Sequence, residues 1–165
     1  MPPGTVIKCH AVYPEPFWRA DGRSGVSVCA EGPVTETVDN GTPDSTRGVL
    51  TAFSYGDEAN ALRRMSPDAR RDALLDVLVE IVGPAARHPD EVVEYDWSAD
   101  EWTRGCFCGA VSVGAWRAYG PELRRPVGRV HWAGTETATR WAGYLDGAIQ
   151  AGERAATEIL RSPVA

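Results

Sequence analysis

VGRVHWAGTETATRWAGYLDGAIQAGERAATEIL, residues 127–160, decides how the rest of the chain is read. Val130, His131, Trp132 and Ala133 make a short β-prone run, which predicts a strand over 130–133. Gly134, Thr135, Glu136 and Thr137 break it with small hydroxyl and acidic side chains, the makings of a helix-capping loop. From Trp141 to Leu160 the apolar residues Trp141, Tyr144, Leu145, Ala148, Ala151, Ala155 and Ile159 recur every three or four positions, which predicts a helix over 141–160. Gly143 and Gly147 fall near its start, where each costs roughly 1 kcal/mol against alanine. That cost points to a close approach, by another backbone or by a flat ligand. On spacing alone, this is a packed C-terminal helix whose glycines admit a neighbouring strand.

Outward from this stretch, the totals set bounds. The 165 residues allow one domain with a real core. Lys+Arg 17 against Asp+Glu 23 gives a net charge of −6, which is no footprint for nucleic acid. No apolar run approaches the roughly 20 residues of a spanning helix, so no membrane role is expected. The opening MPPGTVIKCHAVY lacks the layout of a signal peptide, and Cys9, Cys29, Cys106 and Cys108 are too irregular for a disulfide scaffold. A reduced, cytoplasmic protein is expected. No two glycines stand two residues apart, so the dinucleotide fingerprint G-x-G-x-x-G does not occur in these residues.

Residues 5–13 (TVIKCHAVY) read as a strand with Ile7, Cys9, Ala11 and Tyr13 on one face and Val6, Lys8, His10 and Val12 on the other. Taken alone, Lys8 is a lysine snorkelling at a sheet edge, and His10 a partly exposed sheet residue rather than a ligand. Residues 14–25 are turn-rich, with Phe17 and Trp18 as anchors on the core. Strands are expected over 26–30, 34–38, 48–55 and 92–97, with a loop over 39–47. A short helix is expected over 57–64. Ser66, Pro67 and Asp68 then start a longer helix that buries Leu74, Leu75, Leu78, Ile81 and Val82 and stops at Gly83-Pro84. Cys106-Phe107-Cys108 allows three readings: buried small hydrophobes, half a zinc site, or a redox pair. No metal site is expected, since there is no second cysteine pair and only three scattered histidines.

The residues of 129–156, RVHWAGTETATRWAGYLDGAIQAGERAA, closely resemble the C-terminal flavin-binding signature of the flavin monoamine oxidase family. VIKC at 6–9, Phe17-Trp18, and Trp97 nine residues ahead of Cys106 in Gly105-Cys106-Phe107 match the same family. The resemblance runs over nearly the whole chain but covers only the later portion of such an enzyme, the portion without the dinucleotide fingerprint. It implies FAD as cofactor, a small-molecule amine as substrate, and oxidation of that amine to imine and aldehyde with hydrogen peroxide. It implies FAD contacts at Gly134, Thr135, Gly143, Tyr144, Leu145 and Cys106. Some relatives carry a cysteine thioether to the flavin at the position of Cys106 and others bind FAD without it; both stay open here. It implies that Lys8 holds a water near flavin N5, and that Phe107 and Tyr144 form the aromatic cage guiding the amine. Phe107 stands where tyrosine is common, which keeps the flat wall and loses its hydroxyl.

The expected fold is therefore α+β: a mixed, mostly antiparallel sheet backed by helices, plus a C-terminal strand–loop–helix belonging to the FAD-binding domain. Residues 1–126 are expected as a partial substrate-binding domain with a flavin-proximal loop over 98–120, and 127–165 as the FAD-contacting segment. Met1 opens in mid-domain by this resemblance, as in a fragment, a late start or a split protein. The isolated chain is expected to be inactive, to expose apolar surface, and to self-associate or complement a separate N-terminal FAD-binding half.

Overall fold

The computed structural model describes residues 3–109 and 111–161. Residues 1, 2, 110 and 162–165, which the expected domain bounds include, lie outside the described residues. The chain forms two compact units. One spans Gly4–Cys106; the other gathers the described residues from Phe107 onward together with Pro3, which bridges to Gly109.

In the Gly4–Cys106 unit, strands β1 (Val6–Tyr13), β2 (Ser27–Val28), β3 (Glu36–Asp39), β4 (Gly48–Tyr55) and β5 (Glu91–Asp96) make one sheet in the order β2-β3-β4-β1-β5. Every pairing is antiparallel. The strand alternation is realised: Ile7, Cys9, Ala11 and Tyr13 are buried, while Lys8, His10 and Val12 are half-buried on the other face. Helices α1 (Phe17–Ala20), α2 (Gly56–Arg63) and α3 (Pro67–Val82) follow. The core lies between the Ile7 face and α2 with α3, where Ile7, Cys9 and Ala52 meet Ala59, Leu62 and Leu74, and Ala11, Tyr13 and Leu50 meet Leu75, Leu78 and Val82. Ser66 caps α3 as expected, its hydroxyl accepting from the Ala69 amide at 3.3 Å.

Two expectations for this unit shift. The 26–30 strand shrinks to Ser27–Val28; the Cys29 amide still donates in register to the Thr35 carbonyl at 2.9 Å, and Glu31-Gly32-Pro33 then turn the chain. Phe17 and Trp18 anchor the core as expected but do so from a short helix, where Trp18, Tyr13 and Phe17 meet edge to face at 5.1–5.7 Å.

In the second unit, α4 (Ala115–Tyr119) is one short turn and α5 (Leu145–Arg161) is the long helix. The strand expected over 130–133 does not form. Val130 and Val127 exchange both backbone hydrogen bonds at 3.0 Å around Gly128, which closes a tight turn instead of a ladder. The helix starts four residues late, because Trp141 (φ 57°) and Gly143 (φ 90°) hold left-handed backbone that no α-helix accepts. The compact units divide between Cys106 and Phe107. The physical reason is local: the Gly109 amide donates to Glu136, and Arg124 Nε to the Thr137 carbonyl, which ties 107–126 to the segment after it.

Candidate active site

Lys8 sits in mid-strand, opposite Phe53 of β4 and Tyr95 of β5. Its Nζ lies 5.2 Å from the Phe53 ring centroid and 5.7 Å from that of Trp97, within cation–π reach of both. Strand alternation builds the rest of the face: Phe53 stacks on Tyr55 at 6.0 Å, and Tyr95 tilts against Trp97 at 4.6 Å. The Tyr55 hydroxyl donates to Glu36 at 2.8 Å, and burial, then that carboxylate, push the phenol well above its ordinary range. The Tyr95 hydroxyl donates to Asp100 at 2.6 Å; this bond, with the Thr103 and Trp102 amides, holds the Asp100 carboxyl down to about 2. Trp97 Nε1 is buried without a hydrogen-bond partner among the described residues. That donor suits an acceptor on a bound molecule.

Cys106 belongs to the same unit. Its amide donates to the Gly4 carbonyl at 2.6 Å, just ahead of β1, and its thiol acts electrostatically on the Tyr55 hydroxyl. It is half-buried, unlike Cys9, whose thiol burial and then Glu94 push up to about 12. The structure thus gathers Lys8, Cys106 and four aromatic rings around one side of the sheet. Sequence reasoning named the lysine and the cysteine but passed over Glu36, Phe53, Tyr55 and Tyr95. The signal was there in the period-2 alternation of 48–55 and 92–97; the pairing register it needed was not.

The other expected residues lie in the second unit. Thr135 is buried and its hydroxyl is the hub: it accepts from the Gly143 amide at 2.6 Å and donates to the Tyr144 carbonyl at 3.1 Å. Gly134, which precedes Thr135, accepts the Thr137 hydroxyl at 2.9 Å. A Cβ on Gly143 would project into open space, so the Cα side of this half-buried residue faces no neighbour among the described residues. Tyr144 meets Trp141 edge-on at 5.9 Å, and Tyr144, Leu145 and Phe107 are all exposed. Gly147 answers the close-approach question for its own position: a Cβ there would lie 2.1 Å from the Trp141 carbonyl oxygen. Of the two glycines, Gly147 admits backbone and Gly143 leaves its Cα side open. An open Cα side at Gly143, beside the exposed Trp141 and Tyr144 rings just ahead of a 17-residue helix, leaves room for the flat ring of a flavin.

The family model described as flavin containing amine oxidoreductase matches residues 1–160. A probable flavin-containing monoamine oxidase A of Dictyostelium discoideum is 40% identical over 96% of this chain and 35% of its own length. Flavin-containing amine oxidase B of Sus scrofa is 38% identical over 98% of this chain and 32% of its own length. A solved putrescine oxidase bound to putrescine superposes with a TM-score of 0.90 at 38% identity, over 95% of this chain and 35% of that one. Cyclohexylamine oxidase from Brevibacterium oxydans gives 0.89 at 36% identity, over 96% and 35%. The chain belongs to the flavin-containing amine oxidoreductase family. It spans about a third of the length of the relatives it matches.

Proposed function

We propose that this chain supplies the C-terminal part of an FAD-dependent amine oxidase and does not turn over substrate as an isolated chain. The observation that carries the reading is Lys8, held half-buried between the Phe53 and Trp97 rings in a chain of this family. When bound, FAD would accept hydride equivalents from the amine Cα–H and pass them to oxygen, giving imine, then aldehyde, and hydrogen peroxide. The chain's own residues orient and exclude water. The aromatic face around Lys8 offers a dry wall to the amine, whose neutral, reactive form such desolvation favours. Gly134, Thr135, Gly143, Tyr144 and Leu145 would hold the flavin edge, Phe107 and Tyr144 would flank the incoming amine, and Cys106 would lie near the ring. The family match and the superposition on amine oxidases support this assignment.

The substrate class follows from the same face. Glu36 stands opposite Phe53, half-buried and bonded to the Tyr55 hydroxyl. A carboxylate among aromatic rings suits a second ammonium, and the superposed putrescine oxidase holds a diamine. We therefore read the substrate as an amine with a second cationic group. E36Q in the flavin-loaded enzyme is expected to raise KM for a diamine about tenfold, the worth of one charge-assisted hydrogen bond, and to leave a monoamine unaffected. Equal effects on both substrates would remove Glu36 from substrate recognition.

The reading itself is tested by colour. The chain alone should purify colourless, because these residues carry no G-x-G-x-x-G and ring contacts alone are a weak hold. Mixed with the N-terminal region of a family member and FAD, it should turn yellow and release hydrogen peroxide from an amine. A mixture that stays colourless contradicts the assignment. Acid denaturation of the yellow complex settles Cys106: flavin that washes out is not thioether-bound.

A second reading, a non-catalytic module that only complements a separate half, is favoured by α5. Leu145, Ile149, Ile159 and Leu160 are exposed along one side of it. Yellow mixtures without peroxide would choose this second reading.

A further inference from the structure

Arg154 lies on α5 and has no role assigned above, yet its guanidinium reaches the segment that carries Gly134 and Thr135. Nη2 donates to the Trp132 carbonyl at 2.7 Å and to the Thr137 hydroxyl at 3.0 Å. Nη1 donates to Glu158 at 2.6 Å, and the second oxygen of Glu158 is 3.0 Å from His131 Nδ1. The Thr137 hydroxyl passes the hold on to the Gly134 carbonyl at 2.9 Å. One planar cation therefore grips the residue before Ala133-Gly134 and the residue after Thr135-Glu136. Thr135 in turn fixes Gly143 and Tyr144.

We propose that Arg154 is a positioning residue: it brackets the 132–137 turn and, through Thr135, sets the Gly143–Tyr144 backbone for the flavin. The flavin half of this rests on the function proposed above. The mechanism depends on the shape of the guanidinium. Two acceptors, Trp132 O and Thr137 Oγ1, are met by one nitrogen while a second nitrogen meets Glu158. A lysine ammonium preserves the charge opposite Glu158 but lacks the fixed fork that spans all three. Charge alone and bracketing therefore separate in one substitution.

The experiment is amide hydrogen exchange on the chain itself, comparing R154K and R154M with the unaltered protein. The amides to follow are Thr137, Ala138 and Gly143, bonded respectively to Gly134 O, Thr135 O and Thr135 Oγ1. Ala151 and Ala155, buried on α5, are the reference. Both variants should speed exchange at the three turn amides about tenfold, the effect of losing one or two net hydrogen bonds, and R154K should leave the reference amides unchanged. Wild-type protection in R154K overturns the bracket, since charge on Glu158 would then suffice. Uniform acceleration through α5 in R154K also overturns it, as that is a helix-stability effect. In the yellow complex, R154K should bind FAD about tenfold more weakly with a shifted flavin absorbance; unchanged affinity and spectrum overturn the flavin half. A colourless complex with the unaltered chain instead overturns the proposed function, and the exchange result still decides the bracket.

Discussion

Asp39, opposite Leu50 on the side of the sheet away from Lys8, gathers four hydrogen bonds. It accepts from Trp18 Nε1 at 2.9 Å, from Arg19 Nε at 2.6 Å and Nη2 at 2.9 Å, and from the Gly41 amide at 3.0 Å. The bond from Arg19 is foremost in holding its carboxyl below the ordinary 3.8. A depressed carboxylate contributes stability that is present above the unfolded value and lost as pH falls through the folded one. D39N should therefore cost about 2 kcal/mol at neutral pH by thermal or urea unfolding, and the deficit should shrink as pH drops below about 4. A deficit constant down to pH 2 would mean that geometry, not charge, holds Asp39. His10 titrates in a different window. Burial, then Lys8, lower its pKa from 6.5, while Nδ1 stays 2.8 Å from the Thr51 hydroxyl. The unfolded chain then binds the proton more readily, so stability falls as pH drops from 6.5 toward the folded value. H10N should flatten the unfolding profile across that window; an unchanged slope would remove His10 as its cause. At this scale the sequence was informative where alternation decides: Lys8 and His10 fell on the half-buried face as their positions required. The Asp39 cluster was hidden, because it joins residues some 20 apart through a helix that the turn-rich composition of 14–25 concealed.

The elements divide by where their signals are local. Helix α3 was legible to the residue because serine cap, proline and terminal glycine are short-range chemistry. The segment before α5 was misread for the opposite reason: periodicity at Trp141 and Tyr144 continues the helical pattern, while the backbone there is left-handed. Gly147 is the element-scale consequence. Its φ is ordinary for a helix, so alanine would gain roughly 1 kcal/mol of propensity in an isolated α5. In the folded unit the added methyl would sit 2.1 Å from Trp141 O and 3.1 Å from Ala138 Cβ. Backbone cannot yield as a flexible side chain does, and overpacking costs typically 1–3 kcal/mol. Overlap outweighs propensity, and G147A should lose protection of the Gly143 and Tyr144 amides in hydrogen exchange while helix content by circular dichroism holds or rises. Retained protection would show that the 138–144 turn shifts at little cost.

At the scale of the whole chain the deciding quantity is apolar surface without a partner among the described residues. Family membership was legible because long literal motifs survive whatever the backbone does; the division of the chain at 106/107 was not, because it is set by hydrogen bonds such as Gly109 to Glu136 that no composition shift marks. Leu145, Ile149, Ile159 and Leu160 leave helix α5 with an exposed apolar side, whereas Gly147, Ala151 and Ala155 are buried on another. Two copies pairing through this stripe bring four such side chains each, and fully covering all eight would release on the order of 12–24 kcal/mol. Association costs roughly 4–15 kcal/mol before any surplus appears. Two like stripes cover each other only in part, so only a fraction of that release is realised and association is expected to depend on concentration. A surface shaped to the stripe covers more area at the same entropic cost and should win. Sedimentation velocity is expected to show the average mass rising with concentration, and I149E/L160E should keep the chain monomeric at every loading. Adding the N-terminal region of a family member should displace self-association in the unaltered chain and fail with I149E/L160E, in step with the loss of yellow colour. A monomer at all concentrations, or a double variant that still turns yellow with normal affinity, would move the docking surface off α5.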